Sequence, residues 1–174
     1  MYDFNALYEA NTLQEALELK ATYPHALLLA GGSDILIKLR DGKYTGCDLI
    51  SIYTLDELRG VELLDDGTIV IKPLTSFTDV AQNPILLKYV PTLCEAVEQI
   101  GAPQVRNIGT IGGNICNGVT SADSATTLKA YDAMLVIESQ KGKRILPYLE
   151  FNLGPGKVDL KEDEILTAIT ISKE

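Results

Sequence analysis

Twice in this chain a pair of adjacent glycines follows an apolar segment and leads into helix signals. Gly31-Gly32 lies in ALLLAGGSDILIKLR, residues 26–40, and Gly112-Gly113 in RNIGTIGGNICNG, residues 106–118. Glycine permits positive φ and lets another group approach the backbone where a Cβ would block it. A turn opening into a helix also presents unpaired N–H groups and the positive end of the helix dipole. Leu29-Ala30-Gly31-Gly32-Ser33-Asp34 reads as strand, turn and helix start, with the Ser33 hydroxyl as a further donor. Thr110-Ile111-Gly112-Gly113-Asn114 adds a second hydroxyl and a side-chain amide. Neither loop matches GxGxxG, and neither is followed by a P-loop lysine. Two readings stay open: ordinary turn geometry, or a diphosphate clamped between two lobes that contribute one loop each.

The surrounding pattern supports two lobes. Thr12-Leu13-Gln14-Glu15 has the form of a capping box, and residues 12–23 read as an amphipathic helix ended by Pro24. Residues 26–30 read as a strand covered on both faces. Ser33 or Asp34 is expected to cap a short helix with Ile35, Leu36 and Leu39 inward, and Asp48 to Tyr53 reads as a strand. This alternation over the first 55 residues favours a small parallel α/β lobe. VELLDDGTIVIKP then reads as a hairpin turning at Asp65-Asp66-Gly67, which assigns those carboxylates to a turn and not to a catalytic pair. Ser76 to Gln82, Pro91 to Gly101 and residues 121–131 read as helices; AMLVIES, KGKRILP and EILTAITIS read as strands. Residues 56–174 thus form an antiparallel α+β lobe, giving an α+β chain overall.

The formal net charge of −9 argues against a nucleic-acid partner. It leaves room for a nucleotide whose phosphates are held by backbone N–H groups. No apolar run reaches the roughly 20 residues of a membrane helix, and MYDFNALYEA lacks the features of a secretory signal, so the expectation is a cytoplasmic protein with no membrane association. Cys47, Cys94 and Cys116 are widely spaced with no CxxC, so no zinc or iron–sulfur ligand set is written here and reduced thiols are expected. His25 is expected at the surface, Arg106 beside a local carboxylate or an anion, and Lys141, Lys143 and Arg144 in a solvated turn. No acid–base catalytic residue and no metal ligand stands out. The eight tyrosines read as scattered core and surface residues.

AGGSDILIKLR, together with QVRNIGTIGGNICNGVTSADSATT, resembles the FAD-binding subunit of the molybdenum hydroxylases, the bacterial xanthine dehydrogenase flavoprotein subunits in particular. The resemblance runs from DFNALYEANTLQEAL through GPGKVDLKEDEIL. It implies the two-lobed FAD-binding fold of the vanillyl-alcohol oxidase type, with lobes at about 1–55 and 56–174 and FAD between them. By matching position it implies cofactor contacts along Leu27, Leu28, Leu29, Ala30, Gly31, Gly32, Ser33 and Asp34, and along Thr110, Ile111, Gly112, Gly113 and Asn114. It adds Asp123, for which helix capping is the competing role, Ile165, for which a core role competes, and Ile100. Asn117 and Thr120 border the second loop and are candidates to line the cleft.

The function implied is that of an FAD-dependent oxidoreductase subunit, incomplete on its own. A partner subunit with a molybdenum cofactor hydroxylates a purine, a partner with two iron–sulfur clusters relays electrons, and the flavin passes hydride to NAD. TSADSATT after TIGGNICNG favours the xanthine type over flavin subunits serving aldehyde, nicotinate or carbon monoxide oxidation. An assembly module that no longer holds FAD is the non-enzymatic alternative; a sugar-nucleotide reductase on the same fold would need a substrate domain. Family members continue into a further α+β domain over the flavin, whereas this chain ends at ITISKE. The expectation that follows is a more exposed flavin ring and weaker FAD retention.

Overall fold

A computed structural model describes residues 2–119 and 121–173. The first lobe contains β1 (Phe4–Glu9), α1 (Leu13–Thr22), β2 (Leu27–Leu29), α2 (Ile35–Arg40) and β3 (Cys47–Ser51). The strands form a parallel sheet in the order β1-β3-β2. β1 was not expected from its sequence, since its residues are half-buried or exposed with no β-branched run. It forms because β3 supplies a full parallel ladder, from Phe4 opposite Cys47 to Glu9 opposite Ser51. β2 is accordingly an edge strand, half-buried along its length, and not the doubly covered strand its apolar run suggested.

Local chemistry fixes the approach to β2. The Glu15 N–H donates to the Thr12 hydroxyl at 3.1 Å, while the Glu15 carboxylate accepts from the Asn11 N–H one residue before the cap. After α1 ends, the buried Lys20 donates to the carbonyls of Pro24 and Ala26, each at 2.8 Å, and so closes the turn into β2. At α2 the expected side-chain cap is absent: Asp34 occupies the cap position without bonding to the helix and pairs with Lys38 at 2.9 Å instead.

The second lobe runs β4 (Val61–Leu63), β5 (Thr68–Ile71), α3 (Phe77–Gln82), α4 (Pro84–Tyr89), α5 (Pro91–Glu98), α6 (Pro103–Ile108), α7 (Ile111–Cys116), α8 (Asp123–Ala130), β6 (Met134–Ser139), β7 (Gly142–Pro147), α9 (Tyr148–Phe151), β8 (Asn152–Gly154), β9 (Lys157–Val158) and β10 (Ile165–Ser172). Its main sheet is antiparallel with β10 in the centre, in the order β4-β5-β10-β6-β7. Ile69, Ile71, Leu135, Ile137, Ile169 and Ile171 face the helices, where Phe77, Val80, Leu93, Val97, Ile111, Ile115 and Leu128 complete one buried core. The alternate residues Val70, Val136 and Ala168 form a small cluster on the opposite side. α4, α6 and α7 are six-residue helices that too few turns announce; Pro84 and Pro103 begin two of them, and Asn83 and Thr110 cap two.

Two of the contacts between the lobes fix the relation of the glycine loops. Ile165, the first residue of β10, packs with Ile50, Ile52, Leu55, Leu58 and Leu74 in a second buried core. Gly31 lies so close to the end of α6 that a Cβ would fall 1.6 Å from the Ile108 carbonyl oxygen. Arg106, which finds no carboxylate, donates at 3.1 Å to the carbonyls of Ile100 and Gly101 and braces the turn into α6.

Arg144 is not part of a solvated turn. Its Nε and Nη2 donate to the two Glu164 carboxylate oxygens at 2.8 Å, and Nη1 to Asp159 at 2.8 Å. Glu164 also accepts from the Lys161 N–H at 2.8 Å. Burial pushes the Glu164 carboxyl upward, but the bonds from Arg144 and Lys161 outweigh it, so its pKa lies below the ordinary glutamate value. His25 is exposed, as expected, and sits 3.1 Å from Glu162. The cysteines are all free thiols. Among the described residues no group of His, Cys, Asp and Glu could hold a metal, and no helix is long and apolar enough to cross a membrane.

Two outcomes follow from these contacts. Gly31→Ala sets a methyl against backbone that cannot rotate away, so its destabilisation in urea unfolding should exceed the about 1–3 kcal/mol typical of an overpacked core. For Glu164, a depressed folded pKa means stability that is present above the unfolded value of about 4.3 and lost as pH falls through the lower folded value. Glu164→Gln should therefore cost about 2 kcal/mol at neutral pH. The gap between variant and parent unfolding midpoints should close as the pH drops below that window.

Candidate cofactor site between the glycine loops

A cleft of about 640 Å³ opens where the edge of the parallel sheet faces α7 and the segment leading into β10. That volume lies within the range of small-molecule and cofactor sites. The structure brings most of the sequence-derived candidates together on its lining: Leu27, Leu28, Ala30, Gly31, Gly32, Ser33 and Asp34 from the first loop, Thr110, Gly112, Gly113 and Asn114 from the second, and Ile100 and Ile165. Asn117 also lines it; Thr120 lies outside the described residues.

Three candidates stand elsewhere. Leu29 is the last residue of β2, its carbonyl taken by the Ile52 N–H at 3.0 Å, and it is not on the lining. Ile111 is fully buried in the larger core. Asp123 is exposed at the first position of α8, off the lining, and the cap position it was expected to compete for belongs to Ala122. Its neighbour Ser124 reaches the cleft indirectly: this fully buried hydroxyl donates to the Asn114 side-chain oxygen at 2.6 Å.

The two loops differ in how their N–H groups are used. Among the described residues, the N–H groups of Gly31, Gly32, Ser33, Asp34 and Ile35 have no protein acceptor. Gly32 has φ +75°, so successive N–H groups can converge on one side of the turn, as in an anion-binding nest. In the second loop the expectation of free helix-end donors fails. The segment before α3 takes them: Ile111 N–H donates to Thr75 at 3.1 Å and Gly112 N–H to Pro73 at 2.8 Å. Gly113 N–H donates to the Thr110 hydroxyl at 3.2 Å and Asn114 N–H to the Thr110 carbonyl at 3.0 Å.

The glycines divide in the same way. A Cβ on Gly112 would come within 2.4 Å of Pro73, so Gly112 is fixed by packing. At Gly113 a Cβ would meet only the Thr110 hydroxyl, at 3.0 Å, and otherwise opens onto the cleft. The second loop thus offers a surface with no side chain in the way, the first an array of donors.

Sequence reasoning did not anticipate the rest of the lining. Ile52, Leu74, Phe77 and Leu166 add apolar wall suited to flat aromatic rings. Lys20, Lys38 and Lys161 bring positive charge into an acidic chain. Burial lowers the pKa of Lys20, against the opposing pull of Glu162 and Asp163. Burial pushes the Cys116 thiol up to about 12, which makes it an inert part of the wall. For Lys38 the available signal was its place four residues after Asp34 on a helix.

A dinucleotide cofactor needs neutral donors for its diphosphate, close approach of backbone, and apolar wall for its rings, and this cleft has all three. Comparison with known proteins agrees. Residues 2–173 match the family described as the FAD binding domain in molybdopterin dehydrogenase. The chain is 47% identical over 168 residues to a xanthine dehydrogenase FAD-binding subunit of Escherichia coli O157:H7, covering 97% of this chain and 58% of that protein. It is 33% identical over 178 residues to a nicotinate dehydrogenase FAD-subunit of Eubacterium barkeri, covering 99% of this chain and 60% of that protein. A solved structure of carbon monoxide dehydrogenase from Hydrogenophaga pseudoflava superposes with a TM-score of 0.94 at 32% identity, over 99% of this chain and 60% of that one. The chain thus spans less than two thirds of the length of these relatives, and it belongs to the family of FAD-binding domains found in molybdopterin dehydrogenases.

Proposed function

We propose that the cleft between the glycine loops is where this domain holds FAD, and that it serves as the flavin module of a xanthine dehydrogenase-type molybdenum hydroxylase. The observation that carries the site is the run of unpartnered N–H groups from Gly31 to Ile35 beside the open face of Gly113. The xanthine type is favoured over the nicotinate type by identities of 47% and 33% over nearly the whole chain. When bound, FAD would supply the redox chemistry that links one-electron iron–sulfur carriers of a partner to a two-electron acceptor such as NAD. A separate molybdenum-cofactor subunit would oxidise the purine, with the assembly working in the cytoplasm.

The chain's own part is binding, orientation and exclusion of water. The first loop offers N–H donors to the diphosphate without adding charge to be desolvated. Ser33 and the Asn114 amide, whose oxygen already accepts from Ser124, add polar contacts at the two sides. Ile165 and Leu166 supply apolar wall at the base of β10, held in position by the Arg144–Glu164 pair in the residue just before them.

The visible absorption spectrum of the purified chain, with and without added FAD, tests this reading. Gly113→Ala should leave the unfolding free energy measured in urea within about 0.5 kcal/mol of the parent, because only the Thr110 hydroxyl must give way. The same methyl should weaken FAD binding by about tenfold or more. Unchanged FAD affinity in this variant would remove the diphosphate from the Gly113 face.

A further inference from the structure

We propose that Lys38 is the charged residue that selects a diphosphate in this cleft, an inference that rests on the cleft being the FAD site. Lys38 projects from α2 with its ammonium 2.9 Å from the Asp34 carboxylate, at the end of the run of free N–H groups. The same ammonium donates to the side-chain oxygen of Asn117, at the C-terminal end of α7. One point charge is therefore shared between the helix that follows the first glycine loop and the helix that contains the second pair. An ammonium has three N–H donors, and these two partners leave the third for a ligand.

The other basic side chains on the lining are committed differently. Lys20 gives two donors to the Pro24 and Ala26 carbonyls, which commits it to the turn into β2, and burial disfavours its charged form. Lys161 is 68% exposed and lies 3.9 Å from Glu164, and His25 is 83% exposed beside Glu162. Lys38 is 29% exposed, so its charge is screened less by water than that of Lys161. Its counter-charge, Asp34, is the more exposed member of the pair at 54%. In a chain of net charge −9, neutral N–H groups alone would leave a dianion facing a repulsive background. An ammonium held at the meeting of both loops offsets that repulsion where the phosphates would lie. Asn117 and Asp34 hold it there from two sides.

Lys38→Met keeps the stem and removes the charge; Lys38→Arg keeps the charge. FAD and ADP affinities of the full chain would be measured by flavin fluorescence and calorimetry at about 50 and about 300 mM salt, alongside the melting temperature without ligand. Lys38→Met should weaken both ligands by about tenfold at low salt, less at high salt, and Lys38→Arg should recover most of the loss. The ligand-free melting temperature should stay near that of the parent. Full affinity in Lys38→Met overturns the assignment while leaving the FAD site in place. An equal loss at both salt concentrations with a lowered melting temperature also overturns it, since that marks a role in folding. A parent chain that binds neither FAD nor ADP overturns the assignment and the site reading together.

Discussion

The approach of Gly31 to the Ile108 carbonyl is the contact on which the rest of this structure depends. It brings together two stretches of backbone far apart in sequence, one leaving the parallel sheet and one ending α6, with no space for even a methyl group between them. Because α6 leads through Gly109 into Thr110, this contact sets the separation of the two glycine loops. The width of the cleft is then a property of backbone geometry and not of side-chain rotamers. Ile165 fixes the same relation from the other end, entering the core of the first lobe from the central strand of the second.

A second constraint is electrostatic. An acidic protein that binds a doubly negative group must do so without the broad basic surface used for nucleic acid. Here the solution is local. Among the described residues, five consecutive N–H groups are left without protein acceptors in one loop, while in the other loop two are consumed in holding it to the 73–77 segment and two in bonds to Thr110. One loop is thereby specialised as a donor array and the other as a rigid, side-chain-free wall. Their similar sequences conceal different roles.

That difference explains what could and could not be read beforehand. The glycine pairs, the two-lobed arrangement and the antiparallel strands were legible because each follows from short-range periodicity or turn chemistry. β1 was not, since its strand character comes from the β3 ladder and not from its own residues. The six-residue helices α4, α6 and α7 are too short for a periodic signal and rely on caps and packing. Ile111 was grouped with its loop neighbours, yet as the first residue of α7 it packs into the larger core. Arg144 and Ser124 act through partners distant in sequence, Asp159 and Glu164 for the first and Asn114 for the second, and spacing marks only the Asp34 side of Lys38 and not its bond to Asn117.

The same division separates two kinds of glycine that a motif would treat as one. Gly31 and Gly112 are required by protein atoms already in place, the Ile108 carbonyl and Pro73, and their side-chain-free character is needed whether or not anything binds. Gly32 is required by its own positive φ, which shapes the donor run. Gly113 answers to no such demand from the fold, because a methyl there would meet only a hydroxyl. Gly113 is the third residue of α7, in the first turn, where its glycine backbone weakens the helix by less than the about 0.5–1 kcal/mol it costs in a helix interior. A methyl at Gly113 would press on one hydroxyl only, and the rest of its side-chain-free face opens onto the cleft proposed to hold FAD.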